Sequence, residues 1–398
     1  MPKIDFCIIG GGPAGVMAAI RANERGKKVV LIEKNNVLGN KFLLTGGGRC
    51  NLTHAGLTNK EFVSNYENNG DFLLSPLSKF SPNDLMKYFK DKGVKLKEED
   101  GKVFPKSDKA REVLNCLIRE LKGVKVLYDS EVVDIVFKDK KIEKVILKNG
   151  KEIEAENYLF TTGGKSYSHT GSTGDGFVWA KKMGHSVSDL KPALTPLETK
   201  EKWVQRMKGI TLNNIGVSLN NKKKIIGDVL FTHFGISGPV ILNLSGSINP
   251  RDNIFLDLEP DLNQEEVNKK LLNIFEENPK KDIINVLYFK DKFNTLLLEL
   301  ANIDKSTMCR NISREERMRL IKNIKKIKLT VIALMGFDKA MITKGGVSLK
   351  EIDSKTMKSK IIDNLYFAGE ILDINGQTGG FNLQSAFSTG YVAGENVS

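Results

Sequence analysis

Three glycines near the start of the chain, Gly10, Gly12 and Gly15, have the spacing with which a backbone cradles phosphate. The first permits a tight turn. The second leaves room for a pyrophosphate against the main chain, and the third lets a helix pack closely on a strand. The flanking residues agree with this chemistry. Asp5–Ile9 is an apolar run of strand type, and Pro13 and Ala14 open a helix expected to reach Arg25. Proline suits a first helical turn because its missing N–H has no partner there anyway. Gly26 is placed for a left-handed cap. Val29–Glu33 then reads as a second, parallel strand. It ends in a carboxylate, Glu33, followed by Lys34, where ribose hydroxyls would be accepted.

A phosphate turn alone does not separate NAD from FAD; the far end of the chain does. Leu365–Ala368 reads as a buried strand running into Gly369, Glu370 and Asp373. Gly380, Phe381, Asn382 and Leu383 then open a small-residue helix expected from about Leu383 to Val392. In FAD proteins a late strand of this kind meets the ribityl-phosphate chain. The positive end of the following helix stabilises charge on the reduced flavin. Thr162 and Gly163, after the strand at 158–160, bring the chain back to the nucleotide, and the backbone of Val132 or Val133 is expected beside adenine. FAD is therefore the expected cofactor. No His, Cys or Asp cluster has metal-ligand spacing, so no metal is expected. Cys50 lies beside Arg49 and near Lys41, and positive neighbours lower a thiol's pKa. It is a candidate proton donor, or a small buried residue packed on the cofactor. His233 is the second catalytic candidate, with His54 and His169 behind it.

The segment Thr45–Asn51 with Gly39 and Lys41, the segments 101–105, 230–239 and 345–347, and the block 369–384 together resemble the BaiN/RdsA family of NAD(P)/FAD-dependent oxidoreductases. The resemblance covers nearly the whole chain. It brings Lys41, Gly47, Gly48, Arg49 and Cys50 into the expected cofactor site. It implies an α/β fold: a discontinuous Rossmann-type FAD domain, interrupted by a β-barrel-like domain and a helical subdomain. The family's activities are varied: steroid C=C reduction in bile acids, aminoacetone oxidation and dihydrouridine formation in ribosomal RNA. NAD(P)H is the implied electron donor. One departure is Lys102, where the family tends to carry Arg.

At 398 residues the chain exceeds a usual single core. The expected division is 1–190 with 345–398 for the FAD domain, 191–262 with 329–344 for the β-rich insert, and 263–328 for the helices. Residues 81–121 read as two helices flanking a turn, and 124–127, 132–136, 142–147 and 153–159 as strands, with Asn149-Gly150 a hairpin turn. A helix is expected over Asp175–Met183. No apolar run reaches the roughly 18 residues of a membrane span. The opening Met1-Pro-Lys does not read as a signal peptide. The 4 cysteines form no Cys-x-x-Cys pair, which fits a reducing, cytoplasmic compartment.

The net charge of +13 points to polyanions or an anionic cosubstrate. It is densest at 305–328, where nine basic residues face two acidic ones. Arg310, Arg314 and Arg317, and Arg319, Lys322 and Lys326, are expected to line helix faces behind a Ser313–Glu316 capping box. Taken with the family's activities, this face reads as an RNA-binding surface. The expected reaction is NAD(P)H-driven reduction of an activated C=C bond, a uridine of 23S ribosomal RNA going to dihydrouridine. Small-molecule C=C reduction or amine oxidation, and an RNA-binding protein with structural FAD, are the alternatives.

Overall fold

The computed structural model describes residues 3–398; Met1 and Pro2, from the opening segment read above, lie outside the described residues. Two compact units form. One runs to Ala193 and resumes over Phe337–Ser398; the other is Leu194–Gly336.

The first unit is built on a parallel sheet of five strands: β1 (Phe6–Ile9), β2 (Val29–Ile32), β3 (Lys125–Leu127), β4 (Asn157–Phe160) and β5 (Leu365–Phe367). Their spatial order is β5-β4-β1-β2-β3. Phe6 of β1 lies opposite Val29 on one side and Asn157 on the other. Every residue of β1, β2 and β4 is buried. Strands covered on both faces have no polar side, so these runs show no alternation. The sheet closes only after the second unit, because β5 comes from the C-terminal segment. Three helices matter for the site: α1 (Pro13–Glu24), α2 (Asp175–Lys182) and α3 (Phe381–Asn396). The small residues of α3 have a packing reason. Cβ atoms on Gly390 and Gly394 would collide with the carbonyls of Ala14 and Ala18, so α3 lies directly on the α1 backbone.

Local detail departs from expectation in two places. The helices Pro82–Asp91 and Ala110–Glu120 form, but a hairpin of Leu96–Glu99 with Lys102–Pro105 stands between them instead of a turn. Asp100 and Gly101, at φ 50° and 76°, make the two-residue left-handed connection that antiparallel strands favour. The strand expected over 153–159 is broken. Ile153 pairs with Val145 in the meander 132–153, whereas Asn157 starts the parallel pairing of β4 with β1.

The second unit holds a closed barrel of six strands: Leu197–Thr199, Gly235–Ser237, Ile225–Phe231, Thr211–Leu219, Asn253–Asp257 and Ile327–Leu334, in that spatial order. The helices Gln264–Glu277, Asp291–Ala301 and Arg314–Lys325 pack on it. Val267, Leu271, Leu320 and Ile324 belong to the same apolar cluster as Ile254, Leu256 and Leu329. The helices thus share one core with the barrel rather than forming a separate one. The strand Ile342–Lys344, expected within the insert, pairs with Lys191–Ala193 in the first unit. Among the described residues no helix is long and apolar enough to cross a membrane.

Candidate functional site

A cleft of about 1280 Å³, counted to its open mouth, is lined by residues at and just beyond the C-terminal ends of β1, β2, β4 and β5. This is where open parallel sheets bind ligands. The three glycines of the turn divide the work: Gly10 and Gly12 line the cleft, and Gly15 lies behind it. Gly10 has φ 110°, and a Cβ there would collide with the Thr161 backbone. A Cβ on Gly15 would strike the Gly10 carbonyl and lie 2.6 Å from Thr161 Oγ1. Gly12 is different: nothing lies within 4 Å of its Cβ position. The turn is therefore packed tight on the protein side and open on the cleft side. Gly12 also caps α1, with no side chain satisfying the first N–H groups of the helix. Those free donors and the helix dipole suit an anion.

At the end of β2 the Glu33 carboxylate is fixed by three bonds. Oε2 accepts from Gly11 N at 2.8 Å, and Oε1 accepts from Asn35 N at 2.8 Å and Asn35 Nδ2 at 2.7 Å. Lys34 Nζ donates to Thr173 Oγ1 and to Asp175 Oδ2, which draws the loop before α2 against β2. Thr170, Gly171 and Ser172 of that loop, with Asp175 at the start of α2, line the cleft. They were not foreseen, although Gly171-Ser-Thr-Gly174 opening a helix was a readable signal. Val132 lines the cleft, but Val133 does not and is 47% exposed. The pairing register shifts between Val132 and Asp134, so the strand is irregular at Val133, and of the two only Val132 lies at the cleft. Thr162 and Gly163 line the cleft, and the buried Thr162 Oγ1 has no hydrogen-bond partner among the described residues. At the other end stand Lys41, Phe42 and Thr45, Gly369 and Glu370, Met341 and Ile342, and Asn382, Leu383, Ser385 and Ala386 from the first turns of α3. An open phosphate turn, a fixed carboxylate beside it and a second helix N-terminus further along fit a dinucleotide cofactor.

The family model for the HI0933-like protein Rossmann domain matches residues 4–396. The chain belongs to that family. It is similar to a ribosomal RNA dihydrouridine synthase of Haemophilus influenzae, 31% identical over 401 residues and 98% of each chain. It is equally similar to a 3-dehydro-bile acid delta(4,6)-reductase of Clostridium scindens, 30% identical over 400 residues and 97% of each. Among solved structures, a 3-ketosteroid-delta4-(5alpha)-dehydrogenase of Rhodococcus jostii RHA1 shares the fold. Its TM-score is 0.56 at 15% identity, covering 99% of this chain and 96% of that one. The chain is thus a Rossmann-type, FAD-dependent oxidoreductase.

Several residues of the family's glycine block lie outside the cleft lining. Gly47 and Gly48, at φ 67° and 90°, shape the loop that folds back so that Cys50 N donates to Thr45 O. Arg49 turns away. Its guanidinium binds Glu99 through both carboxylate oxygens and Asp108 at 2.7 Å, and lies over the Phe104 ring. Cys50 is fully buried, and burial pushes its thiol up to about 12, against a smaller lowering by Thr45. The expected lowering by positive neighbours fails because those charges are already paired, Arg49 as described and Lys41 with Glu370. The protonated thiol is buried and absent from the cleft lining, which agrees with the packing alternative. Asp373 accepts from Ser188 Oγ at 3.0 Å, away from the cleft. Gly380 is there because a Cβ would collide with the Thr53 carbonyl, and Phe381 is buried against Phe62 and stacked on His54.

His233, the second catalytic candidate, is an exposed residue of the barrel unit and is absent from the cleft lining. His169 is exposed, and His54 Nδ1 lies 3.2 Å from Gly379 O. Among the described residues no group of three or more His, Cys, Asp or Glu is arranged to hold a metal.

The basic segment is shorter and less uniform than expected. The capping box of Ser313 and Glu316 forms, but the helix covers only Arg314–Lys325. Arg310 precedes it in a short turn, and Lys326 follows it with its ammonium over the Phe255 ring. Arg310, Arg314, Lys322 and Lys326 are exposed. Arg317 turns inward, its Nε donating to Asn268 Oδ1, because Leu320 and Ile321 put that face against the neighbouring helix. Arg319 is exposed, but its Nε donates to Ala301 O.

Proposed function

We propose that this chain reduces a uridine of 23S ribosomal RNA to dihydrouridine, with FAD resident in the cleft and NAD(P)H as electron donor. The carrying observation is the end-to-end similarity to ribosomal RNA dihydrouridine synthases, from Haemophilus influenzae at 31% and from Escherichia coli at 27% identity. The net charge of +13 and the exposed Arg310, Arg314 and Lys322 favour a polyanion as partner. When bound, FAD supplies two-electron chemistry, taking a hydride from a nicotinamide and giving one to an activated C=C bond. The chain's own residues bind and orient. Gly12 and the α1 N-terminus hold the pyrophosphate, Glu33 the ribose hydroxyls, Val132 the adenine side, and the first turn of α3 the far end. Four free, buried cysteines suit a reducing cytoplasm.

A second reading has its own support. The bile-acid reductase is similar over the same span at 30% identity. Both names describe saturation of a C=C bond, so the two readings share chemistry and differ in substrate size. Nucleoside analysis of ribosomal RNA from cells with and without this gene separates them: loss of one dihydrouridine is expected on deletion. Unchanged dihydrouridine, with RNA binding that does not respond to salt, would put the small-molecule reading first. Exchanging Arg310, Arg314 and Lys322 for Glu should weaken RNA binding and flatten its salt dependence, leaving FAD content intact.

A further inference from the structure

With Cys50 buried behind its loop, two cationic side chains line the cleft, Lys34 and Lys41. Lys34 is engaged beside Glu33 with Thr173 and Asp175. Lys41 stands in a different setting. Its ammonium donates to Glu370 Oε2 at 2.6 Å and to Ser166 Oγ at 2.6 Å. Glu370 Oε1 in turn accepts from Thr343 N at 2.9 Å and Ser166 Oγ at 3.0 Å. Thr343 Oγ1 closes the network by accepting from Lys165 N and Ser166 N. Ser166 and Thr343 are buried, and the two charged side chains are each only 21% exposed.

The network joins four segments distant in sequence: the loop after β2, the loop after β4, the strand Ile342–Lys344 and the turn after β5. Stability alone is a weak reason for it, because a largely buried ion pair returns little more than its desolvation cost. Its position is the stronger reason. Both side chains line the cleft, and Glu370 follows Gly369, whose Cβ position lies against Ala14 of α1 and Ala386 of α3. An ammonium has three donors and two are used, so one remains for the cleft.

We propose that Lys41 and Glu370 form a charge couple that sets the reduction potential of the bound flavin. Reduction by two electrons and one proton adds a negative charge to the isoalloxazine; the electrons come from the nicotinamide donor. Lys41 favours that charge and Glu370 restrains it, as positioned charges do in a site of low dielectric. The inference rests on the FAD assignment and deepens it.

The test is a spectroscopic redox titration of the flavin-loaded protein against reference dyes, for the native chain, Lys41→Met, Glu370→Gln and the double variant. Lys41→Met should lower the midpoint potential and Glu370→Gln should raise it. Each shift should be at least about tenfold in the reduction equilibrium, roughly 30 mV for two electrons. The double variant should return toward the native value. Shifts of the same sign, or none, in protein that retains FAD would overturn the proposal, because a merely structural pair has no reason to move the potential in opposite directions. If Lys41→Met no longer holds FAD, Glu370→Gln decides alone: a rise supports the couple, and a fall or no change overturns it. A native protein without flavin would overturn the cofactor assignment, and the couple with it.

Discussion

Two glycines of one turn should fail in opposite ways when given side chains. Gly12 has φ −80° and ψ −177°, extended backbone open to any residue, with nothing within 4 Å of its Cβ position. Gly12→Val should therefore cost the empty protein little. Losing glycine at a helix cap costs up to about 1 kcal/mol, and reduced freedom of the unfolded chain returns about 0.4–1 kcal/mol. Gly15→Ala meets the Gly10 carbonyl and Thr161 Oγ1 instead. The carbonyl belongs to the turn itself and cannot step aside, so the overpacking cost lies toward the top of about 1–3 kcal/mol. The better helix propensity of alanine offsets about 1 kcal/mol of it. For a unit of this size each kcal/mol moves the melting temperature by about 2–4 °C. The apo form of Gly15→Ala should melt about 3–8 °C below native, and that of Gly12→Val within about 3 °C. With FAD at 100 times its Kd, the native protein gains about 2.7 kcal/mol. Gly12→Val should gain none, since its side chain fills the pyrophosphate space. Differential scanning fluorimetry with and without FAD, beside flavin absorbance of the purified proteins, measures both. Full FAD occupancy in Gly12→Val, or an apo form of it that melts well below Gly15→Ala, would refute the division of labour.

Cys50→Ala should slow substrate reduction by less than about tenfold, far from the 10²–10⁴ of a lost general acid, and iodoacetamide at pH 8 should leave the native thiol unmodified; a hundredfold loss in rapid-mixing kinetics would restore the acid role. Burial holds the His185 imidazole below its ordinary pKa, partly countered by Ala180 and Glu351. The neutral ring then contributes stability above about pH 6.5, and this is lost as pH falls through the lowered folded value. Urea midpoints between pH 8 and 5 should decline more steeply for the native chain than for His185→Gln; equal slopes would contradict this. Lys325 reaches Asp257 at 2.9 Å and the Glu259 carbonyl with little exposure, so Lys325→Met should destabilise the barrel unit by about 3–5 kcal/mol. An unfolding free energy within about 1 kcal/mol of native in urea titration would refute this and show that Lys224, also bound to Asp257, compensates.

Most of the Rossmann unit was legible because each signal is local. The strand ending at Ile9, the turn at Gly10, Pro13 in the first helical turn and the left-handed Gly26 need only neighbours a few residues away. The hairpin at Asp100-Gly101 is equally local, but lysines and glutamates dilute its apolar alternation and hide it in the sequence. The basic helix shows a different limit. Its apolar stripe fixes the rotation: Leu320 and Ile321 follow Arg317 by one helical turn, so Arg317 shares the buried face. Grouping arginines by their mutual spacing ignored that phase. The helix also ends sooner than its basic spacing suggests, because Ile327 begins a barrel strand.

At the site, sequence proximity proved a poor guide to electrostatics. Arg49 and Lys41 are near Cys50 along the chain, and from that a lowered thiol pKa was inferred. Charge acts through what it is paired with, and the partners come from elsewhere. Arg49 meets Glu99 and Asp108, which the Asp100-Gly101 hairpin carries back to the loop. Lys41 meets Glu370, which arrives only after the whole second unit has been traversed. Left with no unpaired cation, the buried thiol follows desolvation and rises. The same long-range pairing that leaves Cys50 without a free cation puts the Lys41–Glu370 couple into the wall of the cleft. A lysine two residues after a glycine says nothing of this, and an acid after a late strand says only half. The charge that matters to the cofactor is a property of two segments 329 residues apart, brought together by the parallel order of β2, β1, β4 and β5.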